Sequence, residues 1–249
     1  MSILFISDLH LEDSHLYLTR LFANFLQQEA PKAEAVYILC DLFEVWLGDD
    51  DNRPEVRQYL HLLKQLTDTG VPVYVLRGNR DFLIGDEFAA ETGCRLLEQN
   101  SIVDLYGTPT LICHGDSLCT DDVDHQRFRD MVLQDAWQKQ FLSKPLAERI
   151  LIARNLRDKS REETRKKPEA ITDVNQTSIE NLMRERGVRQ MIHGHTHRPA
   201  IHHFEIDGKQ ATRIVLGDWD EIGNLLRVDA NGCRLEDFTL QSDTAPQPA

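Results

Sequence analysis

The sequence predicts an α/β fold carrying a helical insertion, and three observations support that prediction. Five short runs rich in β-branched residues each stop on Asp, Asn or His. Apolar residues at helical spacing follow the first two runs, and this rhythm breaks between residues 117 and 186. Strands alternating with helices give a mostly parallel sheet with helices on its faces. The carboxyl edge of such a sheet is where ligands sit.

The first run is ILFISDLH (3–10), followed by Leu16, Leu18, Leu21, Phe22, Phe25 and Leu26 on one helical face. The second, VYILCD (36–41), precedes Val56, Tyr59, Leu60, Leu62, Leu63 and Leu66, a helix closed near Gly70 and Pro72. VPVYVLRGNRD (71–81) and TLICHGD (110–116) are the third and fourth runs, and RQMIHGHTH (189–197) is the fifth. Segments AIHHFEI, TRIVLGDW, LLRVDA and RLEDFTL are short strands separated in part by Asp-Gly and Asn-Gly turns, predicting a second, largely antiparallel sheet. The tail 241–249 is polar and Pro-rich, and disorder is expected there.

Between the fourth and fifth runs, Phe128, Met131, Val132, Trp137, Phe141 and Leu142 precede Pro145, and Leu146, Ile150 and Leu151 follow it. A basic cluster then runs through Arg154, Arg157, Lys159, Arg161, Arg165, Lys166 and Lys167. Amphipathic helices ordinarily bury an apolar face and basic runs ordinarily face water. Placed directly after a His-Gly-Asp loop in so acidic a chain, this segment reads instead as a cap over the ligand edge.

Bulk properties exclude several classes. A formal charge of −13 over 249 residues argues against nonspecific nucleic-acid binding, which needs a basic footprint. Five cysteines without CxxC spacing make a disulfide framework unexpected and favour a reducing, cytoplasmic setting. The chain enters a strand within three residues, so no signal peptide is expected, and nowhere do about 18 apolar residues run together as a spanning helix needs. No obligate protein partner is indicated.

The run ends supply Asp8, His10, Asp41, Asn79, His114, His195 and His197. Hard oxygen donors mixed with imidazoles suit Mn²⁺, Fe²⁺ or Zn²⁺ better than Ca²⁺. Seven such donors suffice for two ions if one carboxylate bridges, a hydrolytic arrangement. Asp-x-His and His-x-His are expected to aim both ligands to one side, since residues two apart in an extended chain point the same way. The glycine before His195 permits a tight approach.

The ordered series DLH, D, GNRD, HGD and GHTH resembles the calcineurin-like metallophosphoesterase superfamily over about the whole chain. That resemblance implies a four-layer α/β/β/α sandwich with the helical insertion as its cap. Residues 1–116 and 187–240 would form the core, and 117–186 the mainly helical segment that includes the substrate-binding cap. It also implies that Asp8, His10, Asp41 and His197 hold one metal and Asp41, Asn79, His114 and His195 the other, with Asp41 bridging.

Two residues depart from the family pattern. Cys40 stands where the family has Gly before the bridging Asp; strand alternation turns it away from Asp41, which predicts a packing role. Arg80 replaces the usual catalytic His after Asn79. With a pKa above about 12 it is no general acid, but it can clamp phosphate oxygens. This points to a leaving group that needs no proton, such as that of a phosphate anhydride.

The blocks CDLFEVWLGDD, GNRDFLIG, HGDSLCTDD, ITDVNQ and HGHTHRPA narrow the resemblance to a branch that cleaves the pyrophosphate of nucleotide-linked diacylated sugars. It implies two Mn²⁺ ions, water attack at the α-phosphorus, and a catalytic set of Asn79, Arg80 and His195. Substrate contacts would come from Asn79, Arg80, Asp122, Ser160, Thr164, Lys167 and His195. Two acyl chains need an apolar slot, for which Phe128, Met131, Val132, Trp137, Phe141, Leu146 and Ile152 are candidates. Leftover apolar surface beside the basic cluster would favour peripheral attachment to the cytoplasmic face of the inner membrane.

Other features read mostly as structure. His202 and His203 are adjacent in a strand and point apart; Asp49, Asp50 and Asp51 form an acidic, solvated loop; Trp46 and Trp219 are packing anchors. Asp81 and Asp116 are expected to orient ligand imidazoles or Arg80. Two alternative functions are a different metallophosphoesterase, disfavoured by Arg80 and the cap, and a non-catalytic module, disfavoured by the intact ligand set.

Overall fold

The computed structural model describes residues 1–165, 167–168 and 171–240. The expectations placed on the Thr164 side chain, on Lys166 and on the 241–249 tail lie outside the described residues.

All five apolar runs form parallel strands, three in one sheet and two in the other. In the first sheet, β1 (Ile3–Ile6), β2 (Ala35–Leu39), β3 (Val73–Leu76) and β4 (Arg95–Leu97) run parallel. In the second, β6 (Thr108–Cys113) pairs parallel with β7 (Gln190–His193), and β5 (Ser101–Leu105) flanks β6. The strand alternation sorts side chains by layer. Phe5, Leu39 and Leu76 face Ile112, Ile192 and Ile214 across the gap between the sheets. Leu4, Ile6, Ile38 and Val75 point the other way, onto Leu21, Phe22 and Phe25 of helix α1 (Leu16–Gln28) and Tyr59 and Leu63 of α2 (Pro54–Asp68).

On the far face, Leu111, Cys113 and Met191 meet Ile179 and Met183 of a C-terminal helix, Gln176–Arg186. The order of layers is therefore α/β/β/α, as the resemblance implied. Each fully buried aliphatic or aromatic side chain in these clusters contributes about 1.5–3 kcal/mol relative to exposure, so the sheets are a rigid mount for whatever their edges carry.

The C-terminal strands correct the expectation of a separate antiparallel sheet. β8 (Ala200–Ile206) and β9 (Lys209–Val215) extend the second sheet, in the order β5-β6-β7-β9-β8, with β9 parallel to β7. β10 (Gly223–Asp229) and β11 (Gly232–Phe238) extend the first, in the order β11-β10-β1-β2-β3-β4. The reason is apolarity on both faces: Leu226 and Val228 enter the gap between sheets while Leu225 faces the helices. A strand covered on both sides belongs beside β1, not at a wet edge.

Helix α3 (Asp86–Thr92) follows β3, and the insertion forms α4 (Val123–Val132), α5 (Asp135–Leu142) and α6 (Leu146–Thr164). The Gln176–Arg186 helix, α7, belongs to the outer layer, and among the described residues α4–α6 are the helices that stand over the strand ends. Arg149, almost wholly buried, pins α6 by donating to the Leu47 carbonyl at 2.5 Å and to Asp50 Oδ1 at 2.8 Å. At the other end, Arg129 Nε of α4 donates to Asp116 Oδ2 at 2.8 Å.

Candidate metal centre

All seven run-end residues converge where the carboxyl ends of the two sheets meet. Asp8, His10 and His197 offer ligand atoms within 4.8 Å of one another, and so do Asp41, His114 and His195. His197 Nε2 lies 3.2 Å from Asp8 Oδ1 and 3.4 Å from His10 Nε2. His114 Nε2 lies 2.9 Å from both Asn79 Oδ1 and His195 Nδ1, and 3.8 Å from Asp41 Oδ2.

The backbone that achieves this is not extended. Asp8, His10, Asp41, His195 and His197 all have positive φ, between 45° and 69°. Strand alternation therefore does not explain why Asp8 and His10 face one side. The chain turns through the left-handed region at these five residues, a conformation costing of order 1–3 kcal/mol for a non-glycine residue. Hydrogen bonds hold it there: His10 N donates to the Asp41 carbonyl at 2.9 Å, and Leu11 N to that of Leu42 at 2.9 Å. Glycines provide the clearance. A Cβ on Gly194 would sit 2.2 Å from Asp8 Oδ2, and one on Gly78 2.0 Å from Asp41 Oδ1.

The donor set fits divalent cations. Two imidazole nitrogens facing each other at 2.9 Å, or at 3.4 Å, cannot both carry a proton, and a cation between them satisfies both lone pairs. Without one, protons take its place. Burial alone would raise the Asp8 carboxyl, but the His197, His114 and His10 rings hold it well below its ordinary range. Burial would likewise lower His197, yet the Asp218 and Asp8 carboxylates raise it to about 10. Burial and the neighbouring His114 ring push His195 well down.

Several neighbours take roles other than those expected. Asp81 accepts from Leu42 N at 2.8 Å and Gly78 N at 2.6 Å, clamping the two ligand loops together rather than orienting an imidazole. Burial and the Asp41 charge raise its carboxyl to about 7. Burial opposes ionisation of Asp116, but His114, His195 and Arg129 bring it to about 2. Cys40 is buried in the core between the sheets, as expected, although its positive φ of 71° shows that alternation is not the cause.

Asp49 accepts from Trp46 Nε1, Gly85 N and Phe88 N, Asp50 pairs with Arg149, and Asp51 is buried against Arg53. These acids knit loops together; Asp50 is exposed as expected, whereas Asp51 is buried and Asp49 half-buried. Trp46 and Trp219 are buried anchors. His202 and His203 lie in β8, apart from both ligand groups.

Four polar neighbours escaped the sequence reading. Ser7 Oγ donates to Asp8 Oδ2 at 2.6 Å, and Glu44 Oε2 lies 3.2 Å from His10 Nδ1. Asp218 Oδ2 lies 3.1 Å from His197 Nδ1, and the His125 ring stands 5.3 Å from that of His195. Asp218 had a legible signal, since TRIVLGD is a sixth β-branched run ending on Asp. Glu44 is the one charge in the apolar stretch LFEVWL. Ser7 and His125 carried none.

Two clefts open from the ligands beneath the cap. A polar one of about 260 Å³ is lined by His10, Asp41, Asn79, Arg80, Asp122 and Ser160, together with His125, His195 and His197. Lys167 Nζ reaches its edge, 2.7 Å from both Asp122 carboxylate oxygens. The second is an apolar slot of about 80 Å³. Phe128, Trp137 and Phe141 line it as expected, with Val45, Phe82, Leu83 and Leu156 added. Of the other candidates, Met131 is exposed, Val132 is buried elsewhere, and Leu146 and Ile152 pack on the main core. Arg80 reaches both clefts, and its buried Nε makes no hydrogen bond among the described residues.

This fold and this paired ligand set define a phosphoesterase. Residues 1–199 match the calcineurin-like phosphoesterase family, and the chain belongs to that family of dinuclear metallohydrolases. A protein of Stenotrophomonas maltophilia (strain K279a), 49% identical over 243 residues, is named UDP-2,3-diacylglucosamine hydrolase; the match covers 95% of this chain and 98% of that protein. The same name is carried by a Pseudomonas aeruginosa (strain UCBPP-PA14) protein 50% identical over 242 residues, covering 96% of this chain and all of its own. A Photobacterium profundum protein, 48% identical over 236 residues, also carries it, with 95% and 96% covered. No helix among the described residues is long and apolar enough to cross a membrane.

Proposed function

We propose that this chain hydrolyses the pyrophosphate of UDP-2,3-diacylglucosamine, giving UMP and 2,3-diacylglucosamine 1-phosphate in lipid A synthesis. The observation that carries this reading is the continuity of the two clefts. Asn79, Arg80, His125 and Ser160 line both the polar cleft over the ligands and the apolar slot under the cap. A phosphate held at the ligands would thus sit beside an apolar opening of about 80 Å³, which acyl chains would have to widen as they enter. The names of the relatives supply the substrate that matches this shape.

In this reading Asp8, His10, Asp41 and His197 would hold one Mn²⁺, and Asp41, Asn79, His114 and His195 the other, Asp41 serving both. Bound there, the ions would supply a more acidic water and neutralise charge on the phosphoryl oxygens. Arg80 Nε lies 3.9 Å from Asp41 Oδ2 and makes no hydrogen bond among the described residues, so it can donate to the pyrophosphate while giving up no proton to the leaving group. None is required: with water attacking the α-phosphorus, the sugar phosphate departs as a stable anion.

Asp122 caps α4 by accepting from His125 N at 3.1 Å and holds Lys167, which sets a cation at the cleft edge beside Ser160. Thr164, Asn79 and His195 complete the proposed substrate contacts. Helices α4–α6 form the cap.

We further propose peripheral attachment to the cytoplasmic face of the inner membrane. Val123, Met131, Leu133, Leu142 and Leu151 expose apolar surface on the cap. Its basic cluster is partly neutralised, however, since Arg157 and Arg161 pair with Glu44 and Lys159 with Glu163. Apolar burial therefore contributes more than charge to such attachment.

The test is a comparison of substrates at saturating Mn²⁺. Diacylated substrate in mixed micelles is hydrolysed, whereas UDP-sugars without acyl chains and p-nitrophenyl phosphoesters are poor substrates. Equal turnover of the soluble compounds would point to a different phosphoesterase.

A further inference from the structure

Three clefts meet at Arg80. Two are the apolar slot and the polar cleft already described. The third, about 350 Å³, lies on the other side of the ligands, with His10, His197 and Arg80 at its floor. His15, Arg157, Asp218 and Asp220 rise from that floor toward solvent. We propose that this third cleft receives the nucleoside of the substrate, with His15 and Asp220 as contacts at its mouth. This inference rests on reading the substrate as a nucleotide-linked diacyl sugar.

Connectivity of the substrate is the first argument. A pyrophosphate crossing the ligands, with its sugar toward Asp122 and Ser160 and its chains in the slot, must send its other end out past His10 and His197. Of two further clefts, neither suits that end. The one on the outer side of α6, lined by Arg53 and Arg154, touches none of the seven ligands. The one beside Arg77 and Gln99 touches Asn79 alone of the seven, and its Asp116 and Arg129 are locked in an ion pair.

Chemistry is the second. Uracil and ribose are uncharged but rich in donors and acceptors, and binding them takes polar side chains with unused valence. His15 Nδ1 stands 3.9 Å from Asp220 Oδ1, joining the start of α1 to the loop after β9 across the mouth. Both are well exposed, with side chains at 50% and 73%, and so are free to contact a ligand. Carboxylates of Asp220 and Glu12 suit ribose hydroxyls. Deeper in, buried Arg157 Nη1 makes no hydrogen bond among the described residues, a donor that a uracil carbonyl would satisfy.

Exit is the third. The cleft opens to water, as a soluble nucleotide product requires, while the acyl product keeps to the slot under the cap.

The experiment uses the Mn²⁺-loaded full chain. 4-Thio-UMP is photo-cross-linked and the label mapped, and UMP binding is measured calorimetrically on the wild type, His15→Ala and Asp220→Ala. Label is expected within 12–18 or 218–222 and is competed by UMP. Each variant weakens UMP by about three- to tenfold, the loss of one hydrogen bond, and leaves the affinity for 2,3-diacylglucosamine 1-phosphate unchanged. Label confined to 119–128, 162–167 or 81–99, or unaltered UMP affinity in both variants, overturns the assignment. The substrate reading fails separately: UMP seated in this cleft without hydrolysis of the diacyl substrate keeps the nucleotide site and removes that substrate.

Discussion

Glu44 joins His10, a candidate metal ligand, to helix α6, with Oε2 3.2 Å from His10 Nδ1 while Oε1 accepts from Arg157 Nε at 2.9 Å and Arg161 Nη2 at 3.0 Å. Burial opposes its charge, but His10, Arg80 and Arg161 outweigh that and hold the carboxyl below its ordinary range. The side chain thus fixes the His10 ring and tethers α6 at once. Glu44→Ala is expected to lower affinity for the metal held by His10 by about tenfold and to raise KM for the diacyl substrate. Metal titration and steady-state kinetics on one preparation check both effects. Unchanged values for both would mean that Glu44 only packs.

Asp41→Ala removes the carboxylate proposed to serve both ions. Both metals leave together, and turnover falls by more than about 10³-fold, equivalent to several kcal/mol of lost charge stabilisation. Elemental analysis of the purified variant decides the point: retention of one full equivalent of metal would show that Asp41 does not bridge.

Arg80→Ala leaves metal content near normal and lowers kcat by about 10²–10³-fold, the range for removing one donor from a developing charge. Arg80→Lys recovers part of that loss, since it keeps the charge but not the guanidinium fork. A full recovery by lysine would show that position and charge suffice.

Phe128→Ala opens the apolar slot at a half-buried position, away from the main core. KM for the diacylated substrate rises by about tenfold, consistent with 1.5–3 kcal/mol for a buried aromatic side chain. Hydrolysis of a short-chain analogue is hardly changed. An equal loss on both substrates would place Phe128 in the support of the cap and not in the slot.

Metal removal tests whether the ligands are built for cations. At a hundredfold excess over Kd each ion stabilises by about 2.7 kcal/mol, so chelation lowers Tm by roughly 5–11 °C per site in a domain of this size. Calorimetry with and without chelator measures it. Identical Tm values would mean that the protonated His197 beside Asp8 replaces the ion at no cost.

The candidate site was legible where a strand ran straight into a proposed ligand. Asp8, Asp41 and His114 needed only a β-branched run and the rule that ligands gather past carboxyl ends. How the residues converge was not legible. Left-handed turns at Asp8, His10, Asp41, His195 and His197 are set by contacts between the loops after different strands, which no local pattern records. The placement of β10 was missed for a related reason: LLRV is apolar on both faces, and only the sheet that receives it distinguishes a buried central strand from an edge. Glu44 and His125 come from a loop and a cap helix distant in sequence from His10 and His195, so their roles exist only once the cap is folded down.

Hydrolysis of UDP-2,3-diacylglucosamine with Mn²⁺ in H₂¹⁸O, with mass analysis of both products, tests the proposed reaction most directly. The expected result is UMP carrying one ¹⁸O and an unlabelled sugar phosphate, as attack at the α-phosphorus requires. Label in 2,3-diacylglucosamine 1-phosphate would reverse the direction of attack, and no hydrolysis by fully metal-loaded protein would contradict the proposed substrate.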